Sequence, residues 1–193
     1  DNATFDKAGN RSFTATYSVK DRWFLDEHRT KAGDALVPGT GYLEMAAEAL
    51  RAQGERVAFE IRDLYFLRAF AVADDAPREL RVTLPRSDAG YDLIVESGER
   101  SSFERNAEGS LSLLPLKEPS PIDVAAIAKR CGPQIDAGAR GWIASPQEKH
   151  RKFGLHWRVL QSTAYGDNEG IARLRLPDVA RNDDYILHPG LMD

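Results

Sequence analysis

Short runs rich in β-branched and aromatic residues, cut by turn residues, dominate the first 114 positions of the chain. Residues 12–19, 57–70, 80–84, 91–96 and 109–114 predict strands, and together they predict antiparallel sheet. The periodicity changes once. Between Gly41 and Gln53, the residues Tyr42, Met45, Ala46, Ala49 and Leu50 recur at i, i+3, i+4, i+7 and i+8, while Glu44, Glu48 and Arg51 mostly take the other side. That spacing predicts an amphipathic, core-facing helix, with Gly54 as its stop signal.

Three prolines within residues 115–121 (PLKEPSP) favour an extended connector and mark a boundary. Beyond it, residues 122–130 predict a short helix and 131–140 a loop. A sheet-like pattern resumes near Trp157 and runs through residues 162–165 and 171–176. The sequence closes on YILHPGLMD, where Pro189 suits the first turn of a helix because its missing N–H costs nothing there. The expected organisation is an N-terminal unit over 1–114, a linker over 115–140 and a second unit over 141–193 that stops as a helix begins.

Composition removes several function classes. Lys plus Arg number 26 against 30 Asp plus Glu, for a formal net charge of −4, and the charges are scattered without a basic stripe. A nucleic-acid surface is therefore not expected. Cys131 is the single cysteine, so no internal disulfide can form. No Cys/His cluster has metal-ligand spacing, so no metal site of that kind is expected. With no basic-then-apolar leader and no window near the roughly 18 apolar residues of a membrane helix, a cytoplasmic protein without membrane attachment is expected.

The stretch DEHRTKAGDALVPGTGYLEMAAEAL, residues 26–50, carries the first candidate chemistry. His28 can accept a proton near neutral pH. The loop after it supplies Gly33, Gly39 and Gly41 for close backbone approach. It ends at a helix N-terminus, whose free N–H groups can stabilise negative charge. A base beside such a helix end suits proton abstraction next to a carbonyl. On the residues alone, a single histidine near a loop is more often structural than catalytic.

This stretch resembles the first active-site motif of dehydratase domains from modular polyketide synthases. Three further landmarks resemble that family in order: RNAEGSLSL (Arg105–Leu113), FGLHW (Phe153–Trp157) and LHPGLMD (Leu187–Asp193). The resemblance spans almost the whole chain. It implies an α+β double hotdog, two antiparallel sheets each wrapping a central helix, with the second hotdog incomplete here. Residues 41–53 would be the first central helix and the helix opened by Pro189 the start of the second.

The resemblance implies elimination of water from a 3-hydroxyacyl thioester carried on the phosphopantetheine arm of an acyl carrier protein. His28 would take the proton beside the thioester carbonyl, and Asp193 would protonate the departing hydroxyl. Backbone N–H groups near Gly33 and at the start of the Gly41 helix would receive charge on the thioester oxygen, with Pro38 fixing the loop. Phe153, Gly154, Leu155, Trp157 and Leu191 would line the substrate tunnel. Neighbouring synthase domains and a homodimer partner follow from the same likeness. Double-bond isomerisation, pyran-ring closure, guided aromatic cyclisation, and carrier-protein binding without catalysis remain alternatives on this scaffold.

The chain departs from the family's usual pattern at several positions. Four residues separate His28 from Gly33 where three are commoner, Phe153 replaces tyrosine, Leu155 replaces proline and Asn106 replaces histidine. Glu44 is expected to be structural and to face away from the site. His188 is expected to hydrogen-bond within its turn, and His150 and His156 to be exposed or structural. Trp23, Phe24, Leu25 and Trp157 are expected in the core, and GERSSFER (residues 98–105) as solvated strand and turn.

Overall fold

The computed structural model describes residues 2–5, 9–99, 102–115, 117–180 and 184–193. Leu116 of the expected connector, and Arg100 and Ser101 of the GERSSFER stretch, lie outside the described residues.

In chain order the elements are β1 (Asn2–Phe5), β2 (Arg11–Tyr17), α1 (Trp23–Asp26), β3 (His28–Thr30), β4 (Ala35–Leu36), α2 (Gly39–Gln53) and β5 (Glu60–Phe66). Then come β6 (Ala71–Val72), β7 (Arg78–Leu84), β8 (Arg86–Ser87), β9 (Gly90–Glu99), β10 (Ser102–Ser112) and α3 (Val124–Arg130). The last are β11 (Ile135–Asp136), β12 (Arg151–Phe153), β13 (Leu160–Tyr165), β14 (Gly170–Leu174) and α4 (Pro189–Met192).

The largest sheet runs in the spatial order β1-β2-β7-β9-β10-β5, with β8 added against β9. Its neighbours pair antiparallel. Leu80, Val82 and Leu84 on β7, and Leu93 and Val95 on β9, point to one face by the two-residue alternation of strands. They form one core with Tyr42, Met45, Ala46, Ala49 and Leu50 of α2. Burying each such Val or Leu contributes about 1.5–3 kcal/mol relative to leaving it exposed. The helix therefore holds its place by packing, as its sequence periodicity predicts. It ends at Gly54, whose left-handed backbone (φ 102°) admits only glycine cheaply.

The structure refines several expectations. The helix begins at Gly39, two residues before the predicted start, with Pro38 as its extended N-cap residue. Glu44 is buried, so it does not share the solvent side with Glu48. The strand expected over 57–70 stops at Phe66. Opposite it, β10 shifts register between Arg105 and Ala107, and the carbonyl of buried Asn106 accepts from the N–H groups of both Leu67 and Arg68. Those bonds turn residues 67–70 out of the ladder.

The second region is smaller. β11, β13 and β14 form an antiparallel sheet of their own. Because β11 pairs with β13, the end of the stretch expected as linker belongs to this sheet. Trp157, expected as the start of a strand, lies in a 3-10 turn (Leu155–Trp157). A third sheet, β12-β3-β4-β6, joins the two regions, because β12 comes from the second and the other strands from the first.

Candidate active site

His28 opens β3, and its ring is buried. Its Nδ1 lies 2.8 Å from the carbonyl oxygen of Leu36 on β4. A carbonyl can only accept, so Nδ1 carries the proton and donates, which leaves Nε2 as the basic nitrogen. Burial pushes the pKa of His28 below the ordinary histidine range, and the nearby Arg151 cation acts in the same direction. The Leu36 carbonyl and the Asp193 carboxylate pull it back up. The result favours a neutral imidazole ready to take a proton.

Asp193 follows the single turn of α4. Met192 is its neighbour, and its own N–H donates to the Pro189 carbonyl at 3.1 Å. The residue as a whole is exposed, yet desolvation is the largest influence on its carboxyl, whose pKa is raised. His28, a hydrogen bond from Gln147 and the charge of Arg151 oppose that rise. Gln147 Nε2 donates to Asp193 Oδ2 at 3.4 Å.

These two groups border one cavity of about 370 Å³, together with Gly39, Tyr42, Arg68, Gln147 and Arg151. An adjoining cavity of about 230 Å³ shares Asp193 and is walled by Phe153, Gly154, Trp157 and Leu191, with Trp142 and Leu160 adding apolar surface. The two spaces meet at the acid. Phe153 is the cross-strand partner of His28, and their ring centres lie 5.6 Å apart. Trp157 stands 5.5 Å from the His28 ring and 5.4 Å from Phe153, which closes that wall.

The loop residues divide. Pro38 is fully buried and sets the entry of α2. Gly39 lines the His28 cavity, and as the first helical residue it has an N–H with no intrahelical acceptor. Gly33 requires correction. Its N–H donates to Thr30 within the β3–β4 turn, its carbonyl accepts from Arg29, and it borders neither cavity. The N–H of Gly41 is likewise engaged by the Pro38 carbonyl at 3.0 Å. Of the expected loop glycines, Gly39 is the one that borders the His28 cavity. Leu155 also requires correction: it is half exposed and lines a separate groove with Pro177 and Val179.

The segments around His28 and Asp193 are held by contacts that sequence reasoning did not assign. The Glu27 carboxylate accepts from the backbone N–H of His156 at 2.7 Å and lies 2.9 Å from its Nδ1. The Glu27 carbonyl accepts from Gly154 N–H. A Cβ on Gly154 would come within 2.3 Å of the Glu27 side chain, so the FGLHW segment can approach β3 only with glycine there. Glu44 reaches from α2 to the N–H groups of Ile186 (2.9 Å) and Leu187. His188 Nδ1 accepts from Gly190 N–H and caps α4. The Trp23 ring stacks on both His156 (4.3 Å) and His188 (5.4 Å). His150 is exposed, and His156 is buried and held by the Glu27 carboxylate.

Adjacency to His28 was the one sequence signal for Glu27. Arg151 could have been found only by counting two residues back from Phe153 along a strand. Tyr42, read as core, also faces the cavity. Burial pushes its hydroxyl up to about 12, so it stays protonated. Among the described residues, no group of three or more His, Cys, Asp or Glu side chains could hold a metal ion, and no helix is long and apolar enough to cross a membrane.

Antiparallel sheets around a buried central helix, with a histidine and an aspartate from opposite ends of the chain on one cavity, match a class: the hotdog-fold dehydratase domains. The family model described as "Polyketide synthase dehydratase domain" matches residues 2–98, and that described as "Polyketide synthase dehydratase N-terminal domain" matches residues 120–193. The chain belongs to the polyketide synthase dehydratase domain family.

Among relatives, polyketide synthase PksN of Bacillus subtilis is 25% identical over 185 residues, which is 89% of this chain and 3% of that protein. ThaG of Burkholderia thailandensis is 28% identical over 179 residues, 83% of this chain and 3% of that protein. Each alignment thus covers a small part of a very long synthase. The fold matches a trans-AT dehydratase domain from Brevibacillus brevis with a TM-score of 0.83 at 22% identity, over 99% of this chain and 69% of that one. It matches an Asp-to-Asn inactive mutant of the CurK dehydratase with a TM-score of 0.79 at 20% identity, over 95% of this chain and 66% of that one. A His-to-Phe inactive mutant of the CurJ dehydratase gives 0.83 at 21% identity, over all of this chain and 67% of that one.

Proposed function

We propose that the domain is a hydro-lyase that removes water from a 3-hydroxyacyl thioester, held on the phosphopantetheine arm of an acyl carrier protein, to give the 2-enoyl thioester. The observation that carries this reading is the shared cavity, where a histidine held below its usual pKa faces a carboxyl held above its own. That pairing supplies a neutral base and a protonated acid together, which an elimination requires.

In the proposed mechanism His28 Nε2 takes the proton from the carbon beside the thioester carbonyl. The electron pair of that C–H bond becomes the second bond of the alkene. As the C–O bond to the hydroxyl breaks, Asp193 gives its proton to the departing oxygen, which leaves as water. The N–H of Gly39 meets negative charge gathering on the thioester oxygen. The reaction then closes with imidazolium at His28 and carboxylate at Asp193, and transfer of one proton between them resets the site. The apolar cavity walled by Phe153, Trp157 and Leu191 takes the acyl chain. These steps use side chains and backbone alone, without a cofactor.

The two inactive dehydratase mutants among the structural neighbours, one altered at a histidine and one at an aspartate, support the same division of labour. The reading carries its partners with it: a carrier protein, neighbouring synthase domains and, as in dimeric synthases, a second copy. The test is His28→Ala in the synthase polypeptide that carries this domain, given a 3-hydroxyacyl carrier-protein thioester and followed by mass spectrometry of the bound acyl group. Wild type yields the dehydrated acyl group and the variant does not. Full activity in the variant overturns the assignment, and a rearranged or cyclised product from wild type replaces dehydration with isomerase or cyclase chemistry.

A further inference from the structure

Two polar side chains facing Asp193 come from one short stretch that the dehydration steps leave unused. Gln147 sits in the 3-10 turn Pro146–Lys149 that leads into β12, and it donates to Asp193 Oδ2. Arg151 opens β12 opposite Thr30, while Phe153 lies opposite His28. Residues two apart on a strand share a face, and so do directly opposed pairs. Arg151 is therefore on the His28 face of the sheet and diagonal to it, and it lines the same cavity as His28, Gln147 and Asp193.

Of the other cations nearby, Arg68 pairs with Glu104, Arg29 pairs with Asp26 and Asp74, and Arg158 lies over the Trp142 ring in the second cavity. Among the described residues Arg151 has no carboxylate partner within ion-pair distance. A partly withdrawn guanidinium without a counter-charge, beside a base that must become a cation, is unfavourable unless negative charge forms close by. Dehydration forms that charge at Asp193.

We propose that Arg151 and Gln147 are a positioning pair for Asp193, holding its carboxyl in the cavity and stabilising the carboxylate left when its proton departs with the substrate hydroxyl as water. The role rests on the dehydratase reading, and the arrangement of charge that it requires can be measured apart from turnover. Arg151 favours ionisation of Asp193 and disfavours protonation of His28, whereas Gln147 acts on Asp193. The remaining polar and charged groups bordering Asp193 are Tyr42 and Arg68 across the first cavity and Ser145, Glu148 and Arg158 in the second.

The test is carbon-detected NMR titration of the Asp193 carboxyl and the His28 ring in wild type, Arg151→Gln, Arg151→Lys and Gln147→Ala. Loss of the cation in Arg151→Gln moves both midpoints to higher pH, Arg151→Lys leaves them near wild type, and Gln147→Ala raises Asp193 alone. A purely structural arginine would not give that pattern. In the active synthase, kcat of Arg151→Gln falls on the order of tenfold with KM nearly unchanged, the split expected when an interaction made only in the transition state is lost. Unmoved midpoints in Arg151→Gln, or equal shifts in the Lys and Gln variants, overturn the proposal. The titration reads charge whether or not water is eliminated, so a failed pair and a failed dehydratase assignment give different results.

Discussion

The chain contains two helix starts of similar design and very different support. Pro38-Gly39 opens a helix of fifteen residues that packs against the large sheet, with Leu50 and Ala46 at 2% and 0% exposure. Pro189-Gly190 opens α4, where Pro189 and Gly190 are themselves buried. The base hangs on the first framework through the Leu36 carbonyl. The acid hangs on a few polar contacts: the Glu44 carboxylate, the His188 cap and the Gln147 amide. A strand carbonyl beside the larger core holds one half of the proposed pair, and side-chain hydrogen bonds hold the other.

Asp193→Asn breaks the pair with the largest effect. Acid catalysis typically contributes 10²- to 10⁴-fold, and a loss of about that size in kcat is expected while the fold persists. The pH profile sharpens the same comparison. Wild-type rate falls as pH drops through the pKa of His28, because the imidazole must be neutral, and falls as pH rises through that of Asp193, because the carboxyl must hold its proton. The two limbs belong to the coupled pair. In Asp193→Asn the alkaline limb disappears. His28 also loses the anion that raised its pKa, so the acidic limb of the residual activity moves to lower pH. An acidic limb that stays in place would show that the two groups do not act on each other.

Stability separates the regions next. Leu93 is fully buried in the first core, whereas Leu174 in the small sheet is 46% exposed. Leu93→Ala is expected to cost about 2–5 kcal/mol, and Leu174→Ala less than about 1 kcal/mol, both read by denaturant unfolding. Equal costs would mean that the second sheet is packed as firmly as the first.

Sequence periodicity exposed the first region well because its elements are long enough to repeat. Tyr42, Met45, Ala46, Ala49 and Leu50 announced α2 and are all buried. The strands of two and three residues that carry and flank His28 are too short to show any alternation, so β3, β4, β6 and β12 passed as loop. His28, Asp193, Gly39 and four of the five expected tunnel residues were found by motif and border the two cavities or their shared wall. Gly33 and Leu155 were misplaced because a motif gives order along the chain and says nothing of which N–H is already bonded or which way a side chain faces. Arg151 and Gln147 had no local signal, since their relation to Asp193 exists only after folding.

Glu44 links the two halves, and changing it has the most local effect. Its carboxylate accepts from the N–H groups of both Ile186 and Leu187, six and five residues ahead of the last turn position Met192. Glu44→Gln keeps the size of the side chain but replaces one acceptor with a donor, which leaves a backbone N–H facing another N–H. Such a loss costs about 1–3 kcal/mol. Because α2 is held mainly by apolar packing, the cost should fall on the 186–187 segment. Hydrogen exchange is expected to show faster exchange at the Ile186 and Leu187 amides, with Leu93 and Val95 still protected. The acid would wander from the base, so kcat falls while the His28 limb of the pH profile keeps its slope. If protection drops equally across β7 and β9, the acid-bearing segment and the core are one cooperative unit, and the contrast between a packed base and a tethered acid is wrong.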